Sequence, residues 1–376
     1  MPMDPIRLLR ELVALPSVNP AFLPAGDPLG GEERVGAWLA ALADRWGLGV
    51  ERQSVLPGRD NFWVRLEPSG RRRQRVILAP HLDTVAASPE QFRPVRRKGR
   101  LHGRGACDTK GSVAAMFSAL GEVARRGRRP ASTEVLFTAL VDEEHAQSGS
   151  RALAAARLKA DLAIVGEPTR LQVITAHKGD VWLQLETRGK AAHGARPELG
   201  RNAVLEMARV VEAIETEYAA MLRPQTHPLL GRATVNVGSI AGGTQPNIVP
   251  DRCQITVDRR TLPGESVASV VREVRALLRL HGLRATVADH KGAPCWPLET
   301  DPDLPFVRRF MDCVGQRQPR GVQFFCDASV LGHGGIPSVV FGPGDIAQAH
   351  TADEWVGLRE VEQAAAILTR FLRSLP

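Results

Sequence analysis

Two glutamates stand side by side directly after an apolar segment of the sequence. In the stretch TALVDEEH, Glu143 and Glu144 follow Asp142. Adjacent carboxylates repel each other and are costly to bury, so such a pair needs a compensating positive charge. Bound divalent cations supply that charge and stabilise ionised carboxylates. One acid can then bind a metal and the other can take a proton from water, and the pattern alone does not decide which does which.

Histidines and further carboxylates follow other apolar segments. Sites in parallel α/β proteins lie beyond the carboxyl ends of the strands, so these residues are expected at one edge of a sheet. Any one of them is compatible with a solvated loop, but the convergence of several strand ends on the same residue types indicates a functional site. The candidates are His81 and Asp83 after VILAP, Glu167 after LAIVG, Asp345 and His350 after SVVFGPG, and Asp108 in the loop GRGACDTKG.

The residue types at these positions favour a divalent metal. Two histidines and several carboxylates, without a cysteine, suit zinc or a similar ion. Five candidate ligands exceed the roughly three protein ligands that are typical of one catalytic zinc. Two ions that share a carboxylate or a water molecule account for the excess. We therefore predict a cofactor of two divalent metal ions, zinc or cobalt.

The hydrophobic pattern predicts the elements that position these residues. Continuous apolar strands separated by segments with helical spacing indicate an α/β fold with a mainly parallel sheet that is covered on both faces. The predicted strands are 75–85, 133–144, 160–168 and 335–343, and the predicted helices are 112–127, 150–158, 306–314 and 358–375.

The pattern changes near Gly179, where strands begin to alternate between apolar and polar residues. The order strand–helix–strand–strand–helix–strand that follows is ferredoxin-like. We predict a catalytic domain at residues 1–178 and 289–376, interrupted by an inserted α+β domain at residues 179–288. The segments in that insertion are a strand at 181–189, a helix at 202–222, strands at 233–240 and 253–260, a helix at 266–282 and a strand at 285–292.

Composition restricts the class of protein. The chain has 376 residues, of which 43% are hydrophobic and 24% charged, as is ordinary for a soluble globular protein of two domains. The five cysteines are scattered, which favours a reducing compartment. The sequence shows neither a membrane-spanning segment nor the pattern of a signal peptide, so we predict a cytoplasmic protein that does not contact membranes.

The positive charge of the chain raises one alternative function. The net charge is +8, and basic residues cluster at RRRQR (71–75), RPVRRKGR (93–100) and RRGRR (125–129). Such clusters are typical of nucleic-acid-binding surfaces. No aromatic residues interleave with them, so a platform on which bases could stack is not indicated. We interpret the clusters as solvated surface and predict no nucleic-acid partner.

Five motifs resemble the M20 metallopeptidase family. They are HLDTV, GRGACDTKG, DEEHAQSGS, GEP and AHTADEW, and their order and spacing match over nearly the entire chain. The family includes acetylornithine deacetylase, succinyl-diaminopimelate desuccinylase, aminoacylase and the carboxypeptidase G2-like enzymes. Each motif alone is weak, but five in the right order are highly specific.

The resemblance implies a role for each candidate residue. Glu143, the first of the pair, would be the general base. Asp83 would orient His81, as expected of a carboxylate beside a ligating imidazole. The implied metal ligands are His81 and Glu167 for one ion, Glu144 and His350 for the other, and Asp108 as the bridge between them.

The inserted domain resembles the lid and dimerisation domain of the same family, which implies a homodimer. GKAAHGARPELGRNA matches the segment whose histidine, here His193, reaches across the dimer to stabilise the oxyanion. AGGTQPNIVPDRCQITVDRRTLPGES matches the stretch that supplies the substrate-binding Asn247 and Arg260. Arginine suits a substrate carboxylate because its fork binds both oxygens, and Gly242 and Gly243 allow a close backbone approach.

We interpret the chain as a metal-dependent hydrolase that cleaves the amide bond of an N-acyl amino acid with a metal-bound water, as acetylornithine deacetylases do. A succinyl-diaminopimelate desuccinylase and a dipeptidase or carboxypeptidase are alternatives within the family, because the discriminating contacts lie in loops of the lid. A metal-free binding protein on the same fold is the alternative from another class. Asp142 receives no role, and Cys326 stands where a small hydroxyl residue is common, so its contact with substrate stays open.

Overall fold

A computed structural model of the chain describes residues 4–125 and 129–376, which form two compact units. The first unit contains the residues up to Thr175 together with Thr300–Arg320 and Cys326–Pro376, and the second contains Ala176–Glu299 and Gly321–Phe325. The strands in chain order are β1 (Gly49–Leu56), β2 (Arg59–Leu66), β3 (Gln74–Pro80), β4 (Val95–Arg97), β5 (Arg100–His102), β6 (Thr133–Ala139), β7 (Leu162–Gly166), β8 (Ile174–His177), β9 (Gly179–Arg188), β10 (Thr226–His227), β11 (Gly231–Arg232), β12 (Thr234–Gly242), β13 (Arg252–Thr261), β14 (Ala285–Asp289), β15 (Leu298–Glu299), β16 (Arg320–Val322), β17 (Ser338–Val340) and β18 (Trp355–Gly357). The helices are α1 (Pro5–Val13), α2 (Glu33–Asp44), α3 (Lys110–Arg125), α4 (Ser148–Ala155), α5 (Ala203–Ala213), α6 (Ala219–Leu222), α7 (Val267–Leu280), α8 (Pro305–Val314), α9 (Asp327–His333) and α10 (Leu358–Ser374).

The first unit is built on a sheet whose central strands run parallel. The strands lie in the order β1-β2-β6-β3-β7-β17-β8, and the pairs β6–β3, β3–β7 and β7–β17 are parallel. Ile77 of β3 pairs with Leu136 on one side and with Ala163 on the other, and all three side chains are fully buried. Such strands are continuous apolar segments because both of their faces are covered. The predicted mainly parallel α/β sheet is confirmed for this central part, and antiparallel strands flank it.

The strands that carry the acidic motifs are shorter than predicted. Strand β3 ends at Pro80 instead of Val85, and β6 ends at Ala139 instead of Glu144. Beyond these ends two backbone hydrogen bonds continue the parallel register, from the Leu140 amide to the Pro80 carbonyl at 2.9 Å and from the Leu82 amide to the Leu140 carbonyl at 2.8 Å. The polar residues of both motifs therefore lie in loops at the carboxyl edge of the sheet.

Helix α3 packs against this sheet and is buried along nearly its whole length. The Phe117 ring lies 5.1 Å from that of Phe137 in β6. The predicted end of the helix at Gly127, like residues 126–128 of the RRGRR cluster, lies outside the described residues. None of the helices within the described ranges combines the length and the apolar composition that crossing a bilayer requires.

A small antiparallel sheet in the first unit joins the segment before the Asp108 loop to the segment after His350. Its strand order is β18-β5-β4, and Trp355 pairs with His102. The guanidinium of Arg100 lies 3.5 Å from the centre of the Trp355 ring, so a cation–π contact supports this pairing. The segment before α3 is thereby fixed beside the segment that ends in β18.

The second unit contains an antiparallel sheet with the strand order β12-β13-β9-β14. Helices α5 and α7 pack on it, and both begin with a side-chain cap, from Asn202 and Ser266 respectively. The order of strands and helices along the chain confirms the predicted ferredoxin-like arrangement. The helix predicted at 202–222 is interrupted by a π-helical segment at Ile214–Tyr218.

The second unit spans more of the chain than the predicted insertion at residues 179–288. Strand β15 pairs with residues Ala176 and His177. The Asp180 amide also donates to the Cys295 carbonyl at 2.9 Å. These backbone contacts attach residues up to Glu299 to the second unit, and a pattern of hydrophobic residues does not reveal them.

Candidate metal centre

The structure brings the five predicted metal ligands together in the first unit. His81 follows β3, Glu144 lies in the loop after β6, and Glu167 comes directly after β7. Asp108 lies in the loop between β5 and α3, and His350 lies between β17 and β18. Three parallel strands and two loops thus deliver these side chains to one edge of the sheet, as expected for an α/β protein.

The five side chains form two groups that share Asp108. In the first group, His81 Nε2 lies 3.1 Å from Asp108 Oδ1 and 3.7 Å from Glu167 Oε1. In the second, His350 Nε2 lies 3.3 Å from Asp108 Oδ2 and 3.0 Å from Glu144 Oε2. Within each group the ligand atoms all lie within 4.8 Å of one another. The two oxygens of Asp108 therefore face two different histidines.

The unpaired atoms of this cluster fit divalent cations. Oε1 of Glu144 and Oε1 of Glu167 are buried and have no hydrogen-bond partner among the described residues. A buried polar atom without a partner is costly and requires an explanation, of which an ion is one. Imidazole nitrogens and carboxylate oxygens without thiolate are the donors that zinc and similar ions accept. The residues present therefore suit a metal in each group.

Burial and the hydrogen bonds between histidines and carboxylates together set the pKa values of the cluster. Burial raises the pKa of Glu144 to about 7 and the pKa values of Glu143 and Glu167 well above their ordinary range. Hydrogen bonds to its two carboxylate partners raise the pKa of His350 to about 10. Burial also acts to raise the pKa of Asp108, but its hydrogen bonds with the two histidines hold that pKa below its ordinary range. Metal binding to such groups must compete with protons.

Asp83 holds the adjacent glutamates in place. Its two carboxylate oxygens accept hydrogen bonds from the backbone amides of Glu143 and Glu144, each at 3.0 Å. Oδ1 of Asp83 also lies 3.5 Å from Nδ1 of His81, whose other ring nitrogen faces Asp108. One buried carboxylate thus contacts a predicted metal ligand and the turn that carries the predicted base.

Asp142, for which the sequence indicates no role, anchors the same turn. Its Oδ1 accepts from Asn19 Nδ2 at 2.9 Å and lies 3.1 Å from a guanidinium nitrogen of Arg59. Its Oδ2 accepts from the Ser148 hydroxyl at 2.5 Å. Its backbone is in the left-handed region, with φ +67°, which aspartate tolerates better than most residues. Asp142 therefore shapes the loop from which the glutamates project.

We expect Asp142→Ala to destabilise the protein by about 2–4 kcal/mol, because buried donors lose their acceptor and the Arg59 side chain, only 12% exposed, loses one of its two carboxylate partners. Urea unfolding at neutral pH measures the change. Asp142→Asn keeps one acceptor oxygen and is expected to lose less. Equal stability of the wild-type and alanine proteins would contradict this role.

Several residues of this network carry no local signal in the sequence. Asn19 links Asp83 and Asp142 with one amide nitrogen, at 2.8 and 2.9 Å. Glu32 is completely buried and accepts from Arg59 at 2.5 Å and from the Asp142 amide at 3.1 Å. Both lie far from the motifs along the chain, so only the folded structure reveals them.

Asp327 is a further buried carboxylate close to the cluster. It begins α9, its Oδ1 accepts from the Ser150 hydroxyl at 2.5 Å, and its Oδ2 has no partner among the described residues. Burial raises the pKa of Asp327 to about 6. The acid within FCDASV is a signal that sequence reasoning passed over. Its neighbour Cys326 is buried, and burial raises the pKa of the thiol well above its ordinary range.

The predicted residues of the inserted domain all lie in the second unit. The backbone segments of His193 and Asn247 are adjacent, since the Gly194 amide donates to the Asn247 carbonyl at 2.7 Å. His193 Nδ1 accepts from the Ala195 amide at 3.1 Å. The structure therefore brings two of the predicted substrate-contacting segments together within this unit.

The glycine pair and Arg260 occupy other parts of the same unit. Gly242 and Gly243 line a groove of about 330 Å³ at the end of β12, and Gly243 has φ +79°. Side-chain nitrogens of Arg260 donate to both carboxylate oxygens of Asp258, at 2.9 and 3.0 Å. The fork of Arg260 is thus engaged by a carboxylate of the chain itself.

Comparison with known proteins gives the chain a family. The family model described as peptidase family M20/M25/M40 matches residues 77–374. An acetylornithine deacetylase from Myxococcus xanthus is 33% identical over 89% of this chain and 90% of that protein. An acetylornithine deacetylase from Vibrio cholerae is 30% identical over 91% of this chain and 92% of that protein.

Solved structures of similar fold include peptidases. A tripeptidase from Staphylococcus aureus superposes with a TM-score of 0.80 at 18% identity, covering 99% of this chain and 98% of its own. A dinuclear metal-binding peptidase from Bacillus subtilis superposes with a TM-score of 0.72 at 12% identity, covering 98% of this chain and 96% of its own. At these identities the likeness shows the fold alone.

Proposed function

Because the chain belongs to the peptidase family M20/M25/M40, we propose that it is a dinuclear metal-dependent amidohydrolase that removes the acyl group from an N-acyl amino acid. The observation that carries this proposal is the pair of histidine–carboxylate groups that share Asp108. The two relatives named acetylornithine deacetylase cover about nine-tenths of the chain and support this type of substrate.

The metal-holding part of the site is the cluster of five side chains, in which His81, Asp108 and Glu167 are buried and His350 is exposed. Two divalent ions, when bound, polarise the amide carbonyl and lower the pKa of the attacking water. We favour zinc or cobalt because imidazole and carboxylate ligands suit such ions. One ion would be held by His81, Asp108 and Glu167, and the other by Asp108, Glu144 and His350.

Glu143 performs the proton transfers. Among the described residues none donates a hydrogen bond to its carboxylate, whereas Glu144 is engaged by His350 at 3.0 Å. The Glu143 backbone is fixed through Asp83, so its free carboxylate is held near the cluster. It takes a proton from the attacking water and then passes it to the leaving amine.

N-acetylornithine is the leading substrate. Arg260 would bind the free carboxylate of the amino acid, and Asp258 would orient the guanidinium until substrate arrives. N-succinyl-diaminopimelate and short peptides are the competing substrates within the family.

A hydrolysis screen tests the proposal. Purified protein with added zinc or cobalt is incubated with N-acetyl-L-ornithine, other N-acetyl amino acids, N-succinyl-diaminopimelate and dipeptides, and the free amine is measured. The proposal predicts the highest kcat/KM for an N-acyl amino acid. A preference for dipeptides would replace the deacylase assignment with a peptidase, and failure to cleave any amide would remove the hydrolase assignment.

The enzyme would form a homodimer through the second unit. Strand β12 lies at the end of its sheet, and β13 is its one neighbouring strand among the residues that the structure describes. An open edge strand readily pairs with a second chain. Ile240 on this strand is 57% exposed, and Leu205 and Met221 on nearby helices are 56% and 54% exposed. Exposed large apolar side chains beside an open edge suit a contact between subunits.

His193 would act on the partner's active site by stabilising the oxyanion. We expect His193→Ala to lower kcat by about 10²–10³-fold, as the loss of one oxyanion donor does. Mixed dimers of His193→Ala and Glu143→Gln chains should regain part of the activity, because one of the two sites then has both residues. Confirmed mixed dimers that recover none would contradict action across the dimer.

A further inference from the structure

Glu354 is a buried carboxylate that the proposed mechanism does not use. It lies four residues after His350 in the motif AHTADEW and is 1% exposed. Its Oε1 accepts from the backbone amides of Cys107 and Asp108, at 2.8 and 2.9 Å. Its Oε2 accepts from the Gly105 amide at 2.9 Å and from Arg104 at 2.8 Å.

The backbone of Glu354 reinforces the same connection. Its carbonyl accepts from the Gly103 amide at 3.0 Å, and the next residue, Trp355, pairs with His102 across the small antiparallel sheet. The loop that carries Asp108 is therefore bound to the segment after His350 by backbone and side-chain contacts together. Asp108 and His350 belong to one of the two candidate metal groups.

The contacts require a carboxylate at position 354. Both oxygens accept from two donors each, so neither is free to bind a metal. Glutamine would replace one oxygen with an amide nitrogen that faces two donors in either orientation. Buried donors without an acceptor are costly, so the loop would shift to satisfy them.

We propose that Glu354 is the positioning residue that sets Asp108 against His350 and so assembles the group Asp108–Glu144–His350. This inference rests on the proposed metal site, and it assigns a role to a residue that contacts neither substrate nor metal. Replacing a residue that orients metal ligands without binding the metal itself typically changes metal affinity by about 10–100-fold.

Metal titration of the metal-free protein tests the proposal without relying on activity. We expect Glu354→Gln to bind one of the two ions about 10–100-fold more weakly, measured calorimetrically with zinc or through cobalt absorbance. We also expect faster amide hydrogen exchange at Gly105, Cys107 and Asp108. In the loaded enzyme kcat should fall, whereas KM should stay within about threefold because Glu354 does not contact substrate.

Glu134→Gln is the matched control. Glu134 is also completely buried and also accepts from arginines, at 2.5 Å from Arg75 and 2.7 Å from Arg65. It lies in β6 near its amino end, away from the acidic motif that follows the strand. The control should lose stability and keep wild-type metal affinity.

Several results would overturn the proposal. Wild-type affinity for both ions in Glu354→Gln would contradict the positioning role. An equal loss of metal affinity in Glu134→Gln would also contradict it, because it would indicate general destabilisation. If Glu354→Gln does not fold, Glu354→Asp keeps the charge on a shorter side chain and takes its place. Glu354→Asp must then bind one of the two ions more weakly than the wild-type protein does. A wild-type protein that binds no metal would instead refute the proposed function on which this inference rests.

Discussion

Glu143→Gln is expected to lower kcat by about 10²–10⁴-fold while the protein keeps its metal, because glutamine matches the shape of glutamate but cannot take a proton from water. The carboxylate receives no hydrogen bond from the described residues, and its backbone amide remains bound to Asp83 at 3.0 Å. The substitution therefore removes the proposed base and leaves the turn intact. Steady-state kinetics and metal analysis of the same preparation measure the two effects.

Glu144→Gln is the matched control for the neighbouring position. Glu144 contacts His350 at 3.0 Å and belongs to a candidate metal group. Its replacement should reduce metal content as well as activity. If Glu143→Gln lost metal and Glu144→Gln retained it, the roles of the two glutamates would have to be exchanged.

Asp108→Asn is expected to have the second large effect, the loss of both ions. Asp108 belongs to both groups, and its two oxygens face His81 at 3.1 Å and His350 at 3.3 Å. Asparagine keeps one oxygen and no charge, so it cannot bridge two cations as a carboxylate does. Metal content after dialysis should fall from about two ions per chain to well below one, and hydrolysis should fall with it.

Asp345→Asn separates this effect from a general loss of loop structure. Asp345 follows the same strand as His350 but forms an ion pair with Arg170 and belongs to neither metal group. The variant should retain both ions. An Asp108→Asn protein that binds as much metal as Asp345→Asn would contradict the bridging role.

The central strands were predictable, although not their exact ends, because buried parallel strands have a simple physical pattern. Continuous apolar segments mark strands that are buried on both faces, and His81 and Glu167 follow two of them directly. The convergence of these residues needed only the rule that sites lie at the carboxyl edge. That rule does not say which residues share an ion, so the pairing of Asp108 with His350 came from the resemblance to a family.

The residues that support the site were beyond sequence reasoning for a physical reason. Asn19 lies 64 residues from Asp83 and 123 residues from Asp142 along the chain, yet it donates to both. Glu354 binds the Asp108 amide across 246 residues. Hydrophobic periodicity carries no information on such long-range polar pairs. The acidic residues of the motifs could be identified from the sequence, whereas the residues that hydrogen-bond to them could be identified only from the folded structure.

The most direct test of a dinuclear metal-dependent mechanism is a titration of metal-free protein with zinc or cobalt, in which bound ions and hydrolysis of N-acetyl-L-ornithine are measured together. We expect about two ions to bind per chain, with hydrolysis absent before metal is added and at its maximum when both ions are bound. Hydrolysis that proceeds at full rate in metal-free protein, or a protein that binds no ion at saturating metal, would contradict this mechanism.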